Sequence, residues 1–172
     1  VTAWLSDHNQ DAQDPLGVDP ASFAADPRAT AQAARDFNTR KTIRQTQLGV
    51  NWRHRFEAAG PLRETSLTAY HGSRGVTQFL AIPVATQGNP RHGGGVVDFD
   101  RLYGGTEARA TFAWDTVSVV AGVAVERQDD DRRGYENFTG TAPNQVLGVV
   151  GNPRRNERNQ ADTRDVFAQA SW

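Results

Sequence analysis

Strict alternation of apolar and polar residues, repeated three times in one phase, constrains this chain more than any other feature. In Gln45-Thr46-Gln47-Leu48-Gly49-Val50-Asn51-Trp52-Arg53, Leu48, Val50 and Trp52 fall on one face while Gln47, Gly49, Asn51 and Arg53 fall on the other. That is the period of a strand. Ala108, Ala110, Phe112 and Trp114 alternate in the same way with Glu107, Arg109, Thr111 and Ala113, and Val166, Ala168, Ala170 and Trp172 with Asp165, Phe167, Gln169 and Ser171. Each run closes on an indole, and the three tryptophans recur at intervals of 62 and 58 residues. The face opposite each apolar stripe carries guanidinium, carboxylate and amide groups. Strands of this kind suit a barrel wall with lipid on one side and water on the other. Trp joins an apolar ring to a single N–H donor, which fits the boundary between hydrocarbon and headgroups, so Trp52, Trp114 and Trp172 are expected at one level as part of an aromatic girdle. The competing reading places each Trp in the core of a soluble β-sandwich, covered by a second sheet.

Composition favours the wall. Of 172 residues only 37% are apolar, and the mean hydropathy is −0.64. An ordinary core is hard to build from so little, whereas a lipid-facing strand needs apolar residues only at alternate positions. No run approaches the 18 apolar residues of a membrane helix, and no basic and apolar leader opens the chain. With no Met, even at position 1, the sequence is expected to be an internal piece of a longer polypeptide. There is no Cys, hence neither a disulfide framework nor a thiolate metal site. A formal charge of −1 offers nothing to nucleic acid. All basic residues but Lys41 are arginines, a bias associated with GC-rich bacterial genomes.

Turn and cap signals divide the chain into an all-β, antiparallel, up-and-down series of about six strands with two short helices. A first strand covers 1–8, Asp14-Pro15-Leu16-Gly17 turns, and Asp19-Pro20 and Asp26-Pro27 each supply an N-cap carboxylate and a first-turn proline for helices near 20–25 and 27–36. Strands follow at about 42–56 and 64–78, joined by a tight turn at 57–63 containing Gly60-Pro61. After a loop at 79–100 come strands at 103–114 and 117–128 around a minimal Asp115-Thr116 turn, then a loop at 129–160 and a last strand ending at Trp172. Long and short connections thus alternate, which puts long loops on one side and turns, with the Trp ends, on the other. Outer-membrane barrels have this asymmetry, their long loops extracellular and their turns periplasmic.

Several segments carry a family resemblance: Asp14-Pro15-Leu16-Gly17, Phe37-Asn38-Thr39-Arg40-Lys41-Thr42, 78–84 (Gln-Phe-Leu-Ala-Ile-Pro-Val), 89–100 (Asn-Pro-Arg-His-Gly-Gly-Gly-Val-Val-Asp-Phe-Asp) and Asp131-Arg132-Arg133-Gly134-Tyr135-Glu136-Asn137-Phe138. In these the chain resembles the TonB-dependent receptors of the Gram-negative outer membrane, in the branch of ferric-siderophore receptors, some of whose relatives are linked to pyrroloquinoline quinone. The resemblance implies a mid-barrel section, 1–172, of a barrel of about 22 strands. It also implies an N-terminal plug and an inner-membrane TonB complex that acts through that plug region, both outside this sequence. Six strands cannot close a barrel, and their edges would be unpaired in lipid. The implied partners are outer-membrane lipid and a small ligand, most readily a ferric siderophore. A passive porin-like barrel is the alternative without a plug.

Candidate ligand contacts lie in the segments read as loops. Gly-rich backbone in Asn89-Pro90-Arg91-His92-Gly93-Gly94-Gly95, flanked by Arg91 and His92, can cradle an anion, although it lacks a phosphate-loop ending and equally reads as a structural turn with positive φ. Arg132 and Arg133 suit an acidic ligand, with Tyr135 and Phe138 as aromatic surface for a planar chelate. Asp129, Asp130 and Asp131 would be calcium donors, or a solvated loop top in which adjacent opposite charges neutralise one another. His8, His54, His71 and His92 lack the short spacings of metal ligands, and no Ser, His and Asp constellation suggests nucleophilic catalysis. Neither a cofactor nor an enzyme activity is expected. Arg44, Arg53, Arg55, Arg74, Glu107, Arg109 and Glu126 are assigned to the inner face, lining the lumen or bracing a plug.

Overall fold

The structure is a computed structural model that describes residues 1–57 and 60–172. Its element order is β1 (Thr2–Gln13), α1 (Pro20–Ala25), α2 (Gln32–Asp36), β2 (Arg40–Arg55), β3 (Leu62–Phe79), α3 (Val84–Gln87), β4 (Val96–Ala113), β5 (Ser118–Tyr135), β6 (Phe138–Thr139), β7 (Val146–Leu147) and β8 (Pro153–Ser171). Six strands form one antiparallel sheet in the order β1-β2-β3-β4-β5-β8, and β6 and β7 make a separate two-stranded hairpin within the last loop. The all-β, up-and-down expectation therefore holds. No closed barrel forms from these strands, and β1 and β8 are open edges.

Strands are longer than the alternation suggested. β1 runs to Gln13 rather than residue 8, β4 begins at Val96 rather than near 103, β5 continues to Tyr135 rather than 128, and β8 starts at Pro153 rather than about 161. The long connections shrink accordingly to 80–95 and 136–152. The extra length is charged on a face that is apolar lower down, so it looked like loop. Cross-strand pairs of opposite charge stabilise such positions within a sheet. The guanidinium of Arg133 on β5 meets the carboxylates of Asp98 and Asp100 on β4, and Arg44 on β2 lies 2.8 Å from Asp11 on β1.

The first helix forms as its cap predicted: Asp19 accepts from the amides of Ala21 and Ser22 at 3.0 and 2.9 Å. The Ser22 hydroxyl also donates to Asp19, the main reason that carboxyl titrates below its usual range. The second helix is half its expected length. Asp26 is the C-cap of α1, and its carboxylate accepts from the Arg28 amide to close a turn, so α2 begins only after Ala31, without a side-chain cap. At the other end of the sheet the Trp114 amide donates to the Val117 carbonyl at 2.8 Å, closing the minimal turn. The connection at 57–63 is closed by the Phe56 amide on the Arg63 carbonyl at 3.0 Å, with its middle, 58–59, outside the described residues.

A single sheet has no second layer, and apolar burial is correspondingly slight. Ala34, Ile43, Phe79 and Val96 are buried near the long-loop end, together with Thr39, Gln87, Asp130, Glu136 and Asn137. Among the described residues no other element covers either broad face of the sheet along its turn-side half.

Candidate functional site

Register sorts the side chains of the sheet into two faces, since directly paired residues lie on the same one. On the first face, one row joins Trp52, Leu67, Ala108, Val123 and Val166, and the row beneath the next joins Leu62, Phe112, Val119 and Ala170. The first of these rows stands open, Val123 being 50% exposed, as do Leu5 at 72% and Trp114 at 53% on the same face, while Leu62, Phe112 and Val119 are half-buried. On β5 the apolar stripe runs from Val119 to Val125, seven residues, or about 23 Å at the usual rise. A contiguous apolar band of this size on a sheet marks an interaction surface.

The band crosses the strands obliquely. The row of Leu5, the top apolar residue of β1, passes through Leu48, His71, Gly104 and Arg127 to Asp162 on β8, whereas the β8 stripe begins only at Val166. A drop of four residues, about 13 Å, over five interstrand steps, about 24 Å, inclines the strands by roughly 30° to the band normal. Strands of membrane barrels are tilted by a similar angle. Above the band the same face turns ionic, with Arg133 against Asp98 and Asp100, Arg127 against Asp129, and Arg44 against Asp11. Arg44 thus belongs to this face and not, as expected, to the inner one.

The tryptophans do not share one level. Trp114 and Trp172 continue a single row, beyond the row of Ala113, Ser118 and Ser171, but Trp52 lies in the row of Ala108, six residues from Trp114 in sequence. Phase predicts the face of a residue and leaves its height to the register. Phe56 comes nearer to the Trp114 row, packed edge-on against His54 at 4.5 Å, with His54 stacked on Trp52.

The opposite face is polar and built around glycines. Tyr70 lies across Gly105, its partner on β4, to donate to Glu126 Oε1 on β5 at 2.6 Å; Tyr103 lies across Gly72, its partner on β3, to donate to Gln47 Oε1 on β2 at 3.0 Å. A Cβ on Gly72 would stand 2.5 Å from the Tyr103 ring, and one on Gly105 2.9 Å from the Tyr70 hydroxyl. Trp4 lies over Gly49 and Phe167 over Gly122 by the same device. Large rings laid flat over glycine protect backbone that the glycine would leave bare. Gly49→Ala puts a methyl 2.1 Å from the Trp4 ring. With Trp52, Trp114 and Trp172 replaced by Phe, that substitution is expected to raise acrylamide quenching of Trp4; unchanged quenching would show that the ring is not seated there.

Above the tyrosines, Arg101 makes a two-point contact with Asp130, Nε to Oδ1 at 2.7 Å and Nη2 to Oδ2 at 2.9 Å, and Gln128 adds a third donor at 3.1 Å. A cleft of about 240 Å³ opens here between Gln45, Arg74, Arg101, Tyr103, Glu126 and Gln128. No protein-family model matches the chain.

The candidate residues from the loops separate. Arg132 and Arg133, adjacent on β5, project to opposite faces and do not act as a pair. Asp129 and Asp131 likewise face away from Asp130, so the three carboxylates do not converge on one ion. Among the described residues no group of three acidic or His side chains is placed to hold a metal. Tyr135 ends β5, where its carbonyl accepts from the Gly95 amide at 2.8 Å, and Phe138 pairs with Leu147 in the small hairpin. Arg91 is exposed, and the His92 ring accepts from the Gly94 amide at 3.1 Å. Gly94 has φ +89°, and a Cβ there would stand 2.1 Å from the Tyr135 carbonyl oxygen. These glycines let the 88–95 loop lie against the ends of β5 and β8, which is the structural reading of the motif.

What the sequence reading missed is Gln87 and Asn137, both fully buried. Asn137 donates through Nδ2 to the carbonyls of Phe37 at 3.0 Å and Leu80 at 2.9 Å, and its amide donates to Gln87 Oε1 at 2.8 Å. One side chain thereby ties all three long connections together. Tyr70, Tyr103, Arg101 and Asp130 were also missed as a group, because nothing in their spacing says that three different strands bring them side by side.

Proposed function

We propose that this chain is part of the wall of an energy-coupled outer-membrane receptor of the TonB-dependent kind, in a Gram-negative bacterium, with its apolar face in lipid and its polar face toward the lumen. The observation that carries the reading is the uncovered apolar band: about 23 Å long measured along β5, oblique to the strands, and backed by a face of tyrosines, arginines and carboxylates. Long connections at 14–39, 80–95 and 136–152 lie at one end of the sheet, and the turns at 56–61 and 114–117 at the other. Both edges are free to continue into further strands, as a larger barrel requires. A sandwich reading needs a second sheet over Trp52 and Trp114, and the described residues supply none.

The receptor reading rests on the sequence resemblance, as does the cargo: a scarce chelate, by preference a ferric siderophore, or a small organic molecule such as pyrroloquinoline quinone. The long connections would meet the ligand, and a plug and TonB complex supplied by the rest of such a protein would admit it. Refolded into vesicles carrying lipid-attached quenchers, the chain is expected to lose most of its Trp114 and Trp172 emission while Trp4, on the polar face, keeps its own. A folded monomer in buffer whose indoles ignore the quencher would overturn the proposal.

A further inference from the structure

We propose that the cleft on the polar face is a binding subsite for a small hydrophilic carboxylate, with Arg74 as its anion contact; that it faces a lumen rests on the reading above. Arg74 and Arg101 are direct cross-strand partners, a like-charge pair that destabilises a sheet unless counter-charge is supplied. Counter-charge reaches only one of them. Asp130 is committed to Arg101 through both oxygens and takes a further hydrogen bond from Gln128, while Arg74 has no carboxylate within 4.0 Å and no side-chain hydrogen bond among the described residues. The other acid of the cleft, Glu126, lies two strands away and already accepts from Tyr70.

The surroundings fit such a ligand. About 240 Å³ accommodates a molecule of several heavy atoms. A guanidinium forks naturally onto a carboxylate. Opposite it, Glu126 Oε2 remains free to accept from a hydroxyl or amine of the same ligand, and the Tyr103 ring, held flat by its bond to Gln47, floors the space between. Dipolar lining of this kind selects a hydroxy or amino carboxylate over a bare inorganic anion.

The test uses the protein as its own cells make it, purified and reconstituted in lipid vesicles, and labels free guanidinium groups with phenylglyoxal, each site read by peptide mass spectrometry. Arg74 is expected to react faster than Arg101. Lactate at four times its dissociation constant should slow Arg74 about fivefold, leave exposed Arg28 and Arg91 unchanged, and be without effect when replaced by the neutral lactamide. Arg74 as unreactive as Arg101, equal slowing of every arginine, or protection by lactamide would each overturn the subsite. Lipid-attached quenching of Trp114 in the same vesicles reports the wall separately: protection without quenching would keep the cleft and sink the wall, and quenching without protection the reverse.

Discussion

Val123→Arg is expected to cost about 2–4 kcal/mol of folding free energy in a bilayer and almost nothing in a soluble setting. Val123 sits mid-way along the apolar stripe of β5, paired with Ala108 and Val166, and is half exposed, so the new side chain meets no steric barrier. The penalty comes entirely from what surrounds the chain: water solvates a guanidinium and hydrocarbon does not. Thr163→Arg, on the polar face of β8, serves as the control and should stay within about 0.5 kcal/mol of the parent. The depth dependence sharpens the expectation. Near the band edge, Ala170→Arg should cost about 0–1 kcal/mol, because there the cation reaches the headgroups. Urea titration of folding into vesicles measures all three, and equal stability of Val123→Arg and the parent would remove the apolar band as a lipid contact.

Asn137→Ala is expected to destabilise the long-loop end by about 1–3 kcal/mol, since it leaves the part-buried Phe37 carbonyl without its donor and the Leu80 carbonyl with the Ile82 amide alone. The damage should be local. Its neighbours are a second buried amide, Gln87, and the ion pair of Arg154 with Glu136, where Asn152 also donates at 2.8 Å. Loops held by a few side chains open independently of the sheet beneath them. Hydrogen exchange should therefore quicken at the amides of Gly95, Gly148 and Gly151, which bond across this junction, while the strand amides of β3 to β5 keep their rates. Uniform loss across the sheet would show that the junction and the strands form one cooperative unit.

Both expectations depend on features that the sequence reveals unequally. Which face each residue of the turn-side half occupies was legible from period-two alternation alone, and the strands, short turns and Asp19 cap followed the local pattern closely. Strand ends were not legible. Asp98, Asp100, Arg133 and Arg44 are charged on the apolar face, and only their ion pairs on neighbouring strands make extended backbone favourable there. The second proline-marked cap failed for a related reason, Asp26 being already engaged as the end of α1.

The site divides along the same line. Sequence by itself determined that this chain makes alternating strands with one apolar and one ionic face, because side-chain direction in a strand depends only on parity. Register belongs to the tertiary structure, since hydrogen bonding between strands fixes which residues from distant segments stand side by side. It separates Arg132 from Arg133, moves Trp52 six residues away from the row of Trp114 and Trp172, gives Asp130 to Arg101, and leaves Arg74 beside them without a counter-charge among the described residues.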